Sequence, residues 1–106
     1  MIIRSWRAVA PNQQVVDAYR LHLEETTFQE MAQLAGHKGA CLTTKRLQDG
    51  HELLVMSFWE DMAAVEAFSK GSLTKAVVKE KTQKVLTSWD QEVEYFEVLT
   101  SSGVTI

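Results

Sequence analysis

Leu53-Leu54-Val55-Met56-Ser57-Phe58-Trp59-Glu60-Asp61 reads as a β-strand that is apolar on both faces and runs straight into a helix. Strand side chains alternate, so Leu53, Val55, Ser57 and Trp59 point one way while Leu54, Met56 and Phe58 point the other. Both faces need cover. A chain of 106 residues can lay helices on one side of a small sheet but has little left for the second side, which points to a partner subunit.

Working outward, Asp49-Gly50 is a hairpin signal that joins this strand, Glu52 to Trp59, to a preceding one at Gly39 to Gln48. Upstream, the β-branched and aromatic run Ile2 to Ala10 reads as a first strand, stopped by Pro11-Asn12. Asn12 can cap a helix from Gln13 to about Ala35, where Val16, Tyr19, Leu23, Phe28, Met31 and Leu34 recur at helical spacing and Thr26-Thr27 weaken the middle. Gly36 ends it. Downstream, Asp61 can cap a helix from Met62 to Lys70, and Ser72 a further one through about Leu86. Val93 to Leu99 is the last strand. The tail, 100–106, is expected to be loose. The expectation is a single domain spanning 1–106 with its core in 1–99. Its class is α+β, on the ferredoxin-like split βαβ plan (β-α-β-β-α-β), with a four-stranded antiparallel sheet carrying its helices on one face.

Composition narrows the function. With 45% hydrophobic and 24% charged residues, the chain has the make-up of an ordinary globular domain. A net charge of −3 with interspersed signs provides no basic field for nucleic acid, and Lys75, Lys79, Lys81 and Lys84 read as one solvated helix face. No run approaches the ~18 apolar residues of a membrane span. Met1 to Arg7 is too short and charged for a signal peptide, and the lone Cys41, read as a buried strand thiol, forms no internal disulfide. A cytoplasmic location is the expectation. One Cys and three scattered His do not make a metal site, and Gly36-His37-Lys38-Gly39 lacks the spacing of a phosphate loop.

The element order, with Trp6-Arg7 in the first strand, Phe58-Trp59-Glu60-Asp61 at the third strand's end, Ala67-Phe68 in the next helix and Tyr95-Phe96-Glu97-Val98 in the last strand, resembles the antibiotic biosynthesis monooxygenase domain family. That resemblance implies a homodimer in which two sheets pack face to face into a dimeric α+β barrel, with a pocket between each sheet and its helices. The family's activities are mixed. One branch oxygenates aromatic phenols and quinols without metal or flavin, another degrades heme, and others isomerise small oxygenated metabolites. Aligned through Trp59, the helix Trp and axial His of the heme branch fall on Phe68 and Val78, and its first-strand Asn falls at or beside Trp6, so no heme is expected. In the cofactor-free branch, an Asn upstream and a Tyr downstream of this Trp fall on Val55 and Val65.

The resulting expectation is a cofactor-independent monooxygenase of a small aromatic or quinol-type molecule, with no bound cofactor, metal, nucleic acid or membrane. Its rivals are a non-catalytic dimeric binding or stress-associated domain and an isomerase. Trp59 is the candidate aromatic wall and N–H donor, and His22, at the edge of the first helix's apolar stripe, the candidate general base. His37 is placed at the pocket rim and His51 in an exposed turn. Trp6, Arg4, Phe68 and Tyr95 are the candidate substrate-binding residues. Arg4 could hold an anionic substrate or an interface carboxylate, the interface being favoured. Tyr95 and Phe96 must face opposite ways, one to the helices and one to the partner.

Overall fold

The structure, a computed structural model, describes residues 1–69, 71–76 and 78–104. Its elements in chain order are β1 (Ile2–Ala10), α1 (Gln13–His22), a π-helical turn (Leu23–Thr27), α2 (Phe28–Ala32), β2 (His37–Leu47), β3 (Gly50–Trp59), α3 (Met62–Ser69), α4 (Glu80–Gln83), β4 (Ser88–Trp89) and β5 (Glu94–Glu97). The strands form one antiparallel sheet in the order β2-β3-β1, with β4 and β5 both pairing along the outer side of β1. This is the expected α+β plan, with the final strand broken in two.

The caps behave as their chemistry requires. Val15 N–H donates to Asn12 Oδ1 at 3.0 Å, and Ala64 N–H donates to Asp61 Oδ1 at 3.0 Å, each satisfying a helix-terminal donor that has no intrahelical acceptor. Gly36 has φ +84°, and a Cβ there would meet Ala64 Cβ at 2.7 Å, so only glycine lets the chain turn into β2 this close to α3. The first helical stretch runs to Ala32 with its register interrupted at Leu23–Thr27, where Phe28 N–H reaches back to Leu23 O. The weak Thr26-Thr27 step falls inside that turn.

Register fixes the two faces. Trp6 lies opposite Val55, Arg4 opposite Ser57 and Tyr95, and Ile2 opposite Trp59, so these residues share the side that the helices cover. The core sits there: Trp6, Val16, Leu23, Leu53, Val55, Leu86 and Val93 form one buried cluster, and Met31, Trp59, Ala64 and Val65 a second. On the other side stand Ile3, Cys41, Met56, Phe58 and Phe96, all at least partly exposed and none of them in either buried cluster. Phe96 is 50% exposed.

One expectation fails outright. The segment after α3 does not form a continuous helix through Leu86; among its described residues only Glu80–Gln83 is helical. Ser72 Oγ does accept Lys75 N–H at 3.1 Å, but the chain then gives its backbone bonds to the strand region instead. Ala76 N–H donates to Gln91 O and Val93 N–H to Thr74 O. Tertiary pairing wins here over a helix with little intrinsic drive. Lys75, Lys79, Lys81 and Lys84 therefore do not share a helix face. Three other expectations lie partly outside the described residues: the end of the helix at Lys70, the stretch around Val77, and the tail beyond Val104.

Candidate functional site

Between the sheet and its helices lies a cavity of about 500 Å³. Trp6 and Val55 form its floor, Leu23, Met31 and Leu34 one wall, and Phe68 another, while Ala76 and Val78 approach from the irregular segment. Arg4, Tyr19, His22, Thr27, Glu30, Ser69, Lys79 and Thr82 also reach it. An apolar floor and walls with polar side chains among them suit a small-molecule site.

His22 is held by its own turn. The Thr26 hydroxyl donates to the His22 carbonyl oxygen, and its oxygen lies 3.2 Å from His22 Nδ1. A hydroxyl that donates to a carbonyl can offer the imidazole only a lone pair, so this contact favours the tautomer with its hydrogen on Nδ1, which would leave Nε2 as an acceptor. The π turn, a feature found disproportionately at functional sites, holds His22 and Thr26 at this spacing.

Tyr19 stands between His22 and Trp6, with ring centroids 6.1 Å from each. Burial pushes its phenol up to about 12, so it stays protonated and remains a donor. Trp6 itself is fixed by its indole N–H, which donates to Asp90 O at 2.8 Å and ties β1 to the chain leading into β5.

Of the residues that sequence reasoning nominated, Trp6, His22, Phe68 and Arg4 meet at this cavity. Trp59 does not. It is fully buried behind Phe68, with ring centroids 5.4 Å apart, and its indole N–H is spent on Ser57 Oγ at 2.8 Å. A donor already paired within its own strand is not offered to a ligand, so Trp59 supports the wall and does not form it. Tyr95 also stands back. It faces the helix side, as parity allowed, but its hydroxyl donates to Leu73 O and fastens the irregular segment to β5. Phe96 takes the open face.

Arg4 lies on the cavity side of the sheet, against the expectation that favoured an interface role, because its register partners Ser57 and Tyr95 both face the helices. His37 begins β2, packs edge-on against Trp59 at 4.9 Å and does not line the cavity; burial lowers its pKa. Cys41 and His51 are each half-buried, where full burial and exposure were expected, and burial raises the Cys41 thiol. Sequence reasoning missed Tyr19 as a polar group, because it served only as a marker of the apolar stripe. It also missed the Thr26 contact, which the pair's i,i+4 spacing could have signalled. Among the described residues no cluster of His, Cys, Asp and Glu could hold a metal ion, and no helix is long and apolar enough to cross a membrane.

The fold and cavity define a ferredoxin-like α+β domain with an open, ligand-sized cleft on its helical side. The chain belongs to the antibiotic biosynthesis monooxygenase family, whose profile matches residues 2–80. No curated protein sequence matches it. Among solved structures it is similar to a candidate antibiotic biosynthesis monooxygenase from Bacillus cereus, at 16% identity and TM-score 0.67, covering 98% of this chain and 96% of that one. A second such candidate, from Deinococcus radiodurans, matches at 13% identity and TM-score 0.61, covering 98% of each chain. The heme-degrader MhuD from Mycobacterium tuberculosis, solved with two hemes in its active site, matches at 15% identity and TM-score 0.65, covering 97% of this chain and 100% of that one. Identities this low carry the fold and not the reaction.

Proposed function

We propose that this protein is a cofactor-independent oxygenase of a small, electron-rich aromatic or quinol-type substrate, working as a homodimer. The observation that carries the reading is the His22–Thr26 pair at the edge of a cavity with an apolar floor, a contact that favours Nε2 as the free acceptor of a residue lining that cavity. In this reading His22 removes a proton from an anthrone-type methylene, and the Tyr19 phenol donates to the enolate oxygen that results. The enolate reduces dioxygen and combines with it, and the proton held by His22 passes to the terminal peroxide oxygen to give a hydroperoxide. His22 then takes the second proton from the same carbon as the O–O bond breaks and returns it to the departing hydroxide, so that water leaves and a carbonyl remains. One oxygen atom is then in the product and the other in water, and the four electrons come from the substrate carbon.

Oxygen consumption with an anthrone or hydroquinone, without added flavin or metal, tests the reaction. His22→Ala is expected to lower the rate by about a hundredfold or more while leaving the fold intact, the usual scale for a lost general base. An unchanged rate removes the base assignment.

Heme is not the expected ligand. Phe68 and Val78, at the positions where the resemblance expects Trp and His, both border the cavity and bring no axial nitrogen. A stoichiometric Soret band on titration, with heme lost under reductant, would overturn this.

A second reading, a binding domain without catalysis, is favoured by Val55 and Val65: one lines the cavity and the other is fully buried, where the resemblance expects polar substrate contacts. Tight aromatic binding with no oxygen uptake above background across a substrate panel would favour it.

A further inference from the structure

Arg4 does a job that neither the proton transfer nor the oxyanion requires. Its guanidinium lies over the Phe68 ring, with Cζ 5.2 Å from the centroid, and Phe68 is backed by Trp59, so the group closes one end of an aromatic pair of which Phe68 lines the cavity. Its Nε is buried and has no hydrogen-bond partner. No carboxylate lies within ion-pair distance among the described residues: the lining Glu30 does not pair with it, nor does Glu97, which stands opposite the neighbouring Ile2. A buried donor on a permanent cation is costly to leave unpaired, and a cation–π contact offsets only part of that cost. Lys79 adds a second positive group to the lining, against the single carboxylate of Glu30.

From this geometry we infer that the cavity selects an aromatic ligand carrying a permanent carboxylate, which Arg4 receives on its planar donor fork while the ring lies among Phe68, Trp6 and Tyr19. The inference rests on the cavity being the small-molecule site proposed above. It adds a second recognition point, separate from the reacting position beside His22. An Arg fork matches a carboxylate through two parallel hydrogen bonds, which a neutral amide does not reproduce.

The test is binding alone and needs no turnover. Calorimetric titration of the full-length protein near neutral pH compares 2-naphthoate with its neutral isostere 2-naphthamide. The acid is expected to bind about tenfold more tightly or better, the scale of a charge-assisted hydrogen bond gained in a buried site. Arg4→Met keeps the side chain's apolar stem and is expected to erase the preference, while Lys79→Gln is expected to keep it. Equal binding of the two probes, no measurable binding of either at millimolar concentration, or a preference that survives Arg4→Met would overturn the inference. Should Arg4→Met fail to fold, Lys79→Gln decides, because loss of the preference there would assign the charge to Lys79. Carboxylate selectivity without oxygen uptake removes the oxygenase and leaves this inference standing. Oxygen uptake without selectivity does the reverse.

Discussion

The two faces of this sheet are built from the same strands and both carry large apolar side chains, yet they are finished differently. The helix-covered face buries Trp6, Leu53, Val55 and Trp59 and still leaves a cavity against Trp6 and Val55. The opposite face presents Ile3, Cys41, Met56, Phe58 and Phe96, partly exposed and outside both buried clusters. Toward one end of that face lies a charged band, where Arg7 pairs with Glu52 at 2.9 Å and approaches Glu94 at 3.8 Å, and Lys45 pairs with Glu52 at 3.3 Å. Exposed pairs of this kind add little stability but can fix register and partner. A contiguous apolar patch rimmed by charge marks an interaction surface. The comparison therefore separates a face packed by the chain's own helices, which carries the cavity, from one that the chain leaves partly exposed.

Breaking the open face should have the largest effect. Phe58→Glu or Met56→Lys is expected to convert a homodimer to monomer at micromolar concentration, read by sedimentation, because a charge would be buried unpaired between two sheets. If both variants stay dimeric and stable, the open face is not the interface.

On the covered face the expected effects are of a few kcal/mol. Ser57→Ala strands the buried Trp59 indole N–H and should cost about 1–3 kcal/mol in urea unfolding. Since Trp59 stands behind the cavity, turnover should change far less than in His22→Ala. A comparable loss of activity would return Trp59 to the site.

Alkali should loosen the cavity wall from Tyr19. Its folded pKa lies at about 12 against an ordinary value of 10.0, so its stabilising contribution is complete below 10 and is lost as pH rises toward 12. The loss is up to roughly 3 kcal/mol, and Tyr19→Phe should remove this dependence. Acid acts in the opposite sense at His37, whose pKa burial lowers from 6.5. Its contribution is present above that value and is lost as pH falls below it. Urea midpoints measured across pH 5 to 7 should therefore decline less in His37→Gln than in the wild type.

The smallest effect is expected at the irregular segment that closes the cavity. Tyr95→Phe removes the hydroxyl bond to Leu73 O and should cost about 0.5–1.5 kcal/mol. Faster amide exchange is expected at residues 71–76, with dimerisation unchanged. Unaltered exchange there would mean that the backbone pairing of Thr74 and Ala76 with 91–93 holds the segment without the tyrosine.

What the sequence determined by itself was whatever rests on local chemistry and periodicity. Asn12 and Asp61 are caps wherever a helix starts beside them, Asp49-Gly50 turns a hairpin, and the alternation of Leu53 to Trp59 commits two apolar faces. His22 was legible as a cavity residue because helix phase alone puts it beside the apolar stripe. Tertiary structure decided the rest. Parity shows that Arg4 and Trp6 share a face but not which one, and only the register against Ser57 and Tyr95 sets Arg4 toward the cavity. Trp59 shares its face with cavity-lining Val55, yet Phe68 stands in front of it and Ser57 consumes its donor. The segment after α3 has helical spacing, but its backbone finds partners at 91–93 that lie far away in sequence. Short-range preferences amount to tenths of a kcal/mol per residue, and packing and long-range hydrogen bonds override them wherever the two disagree.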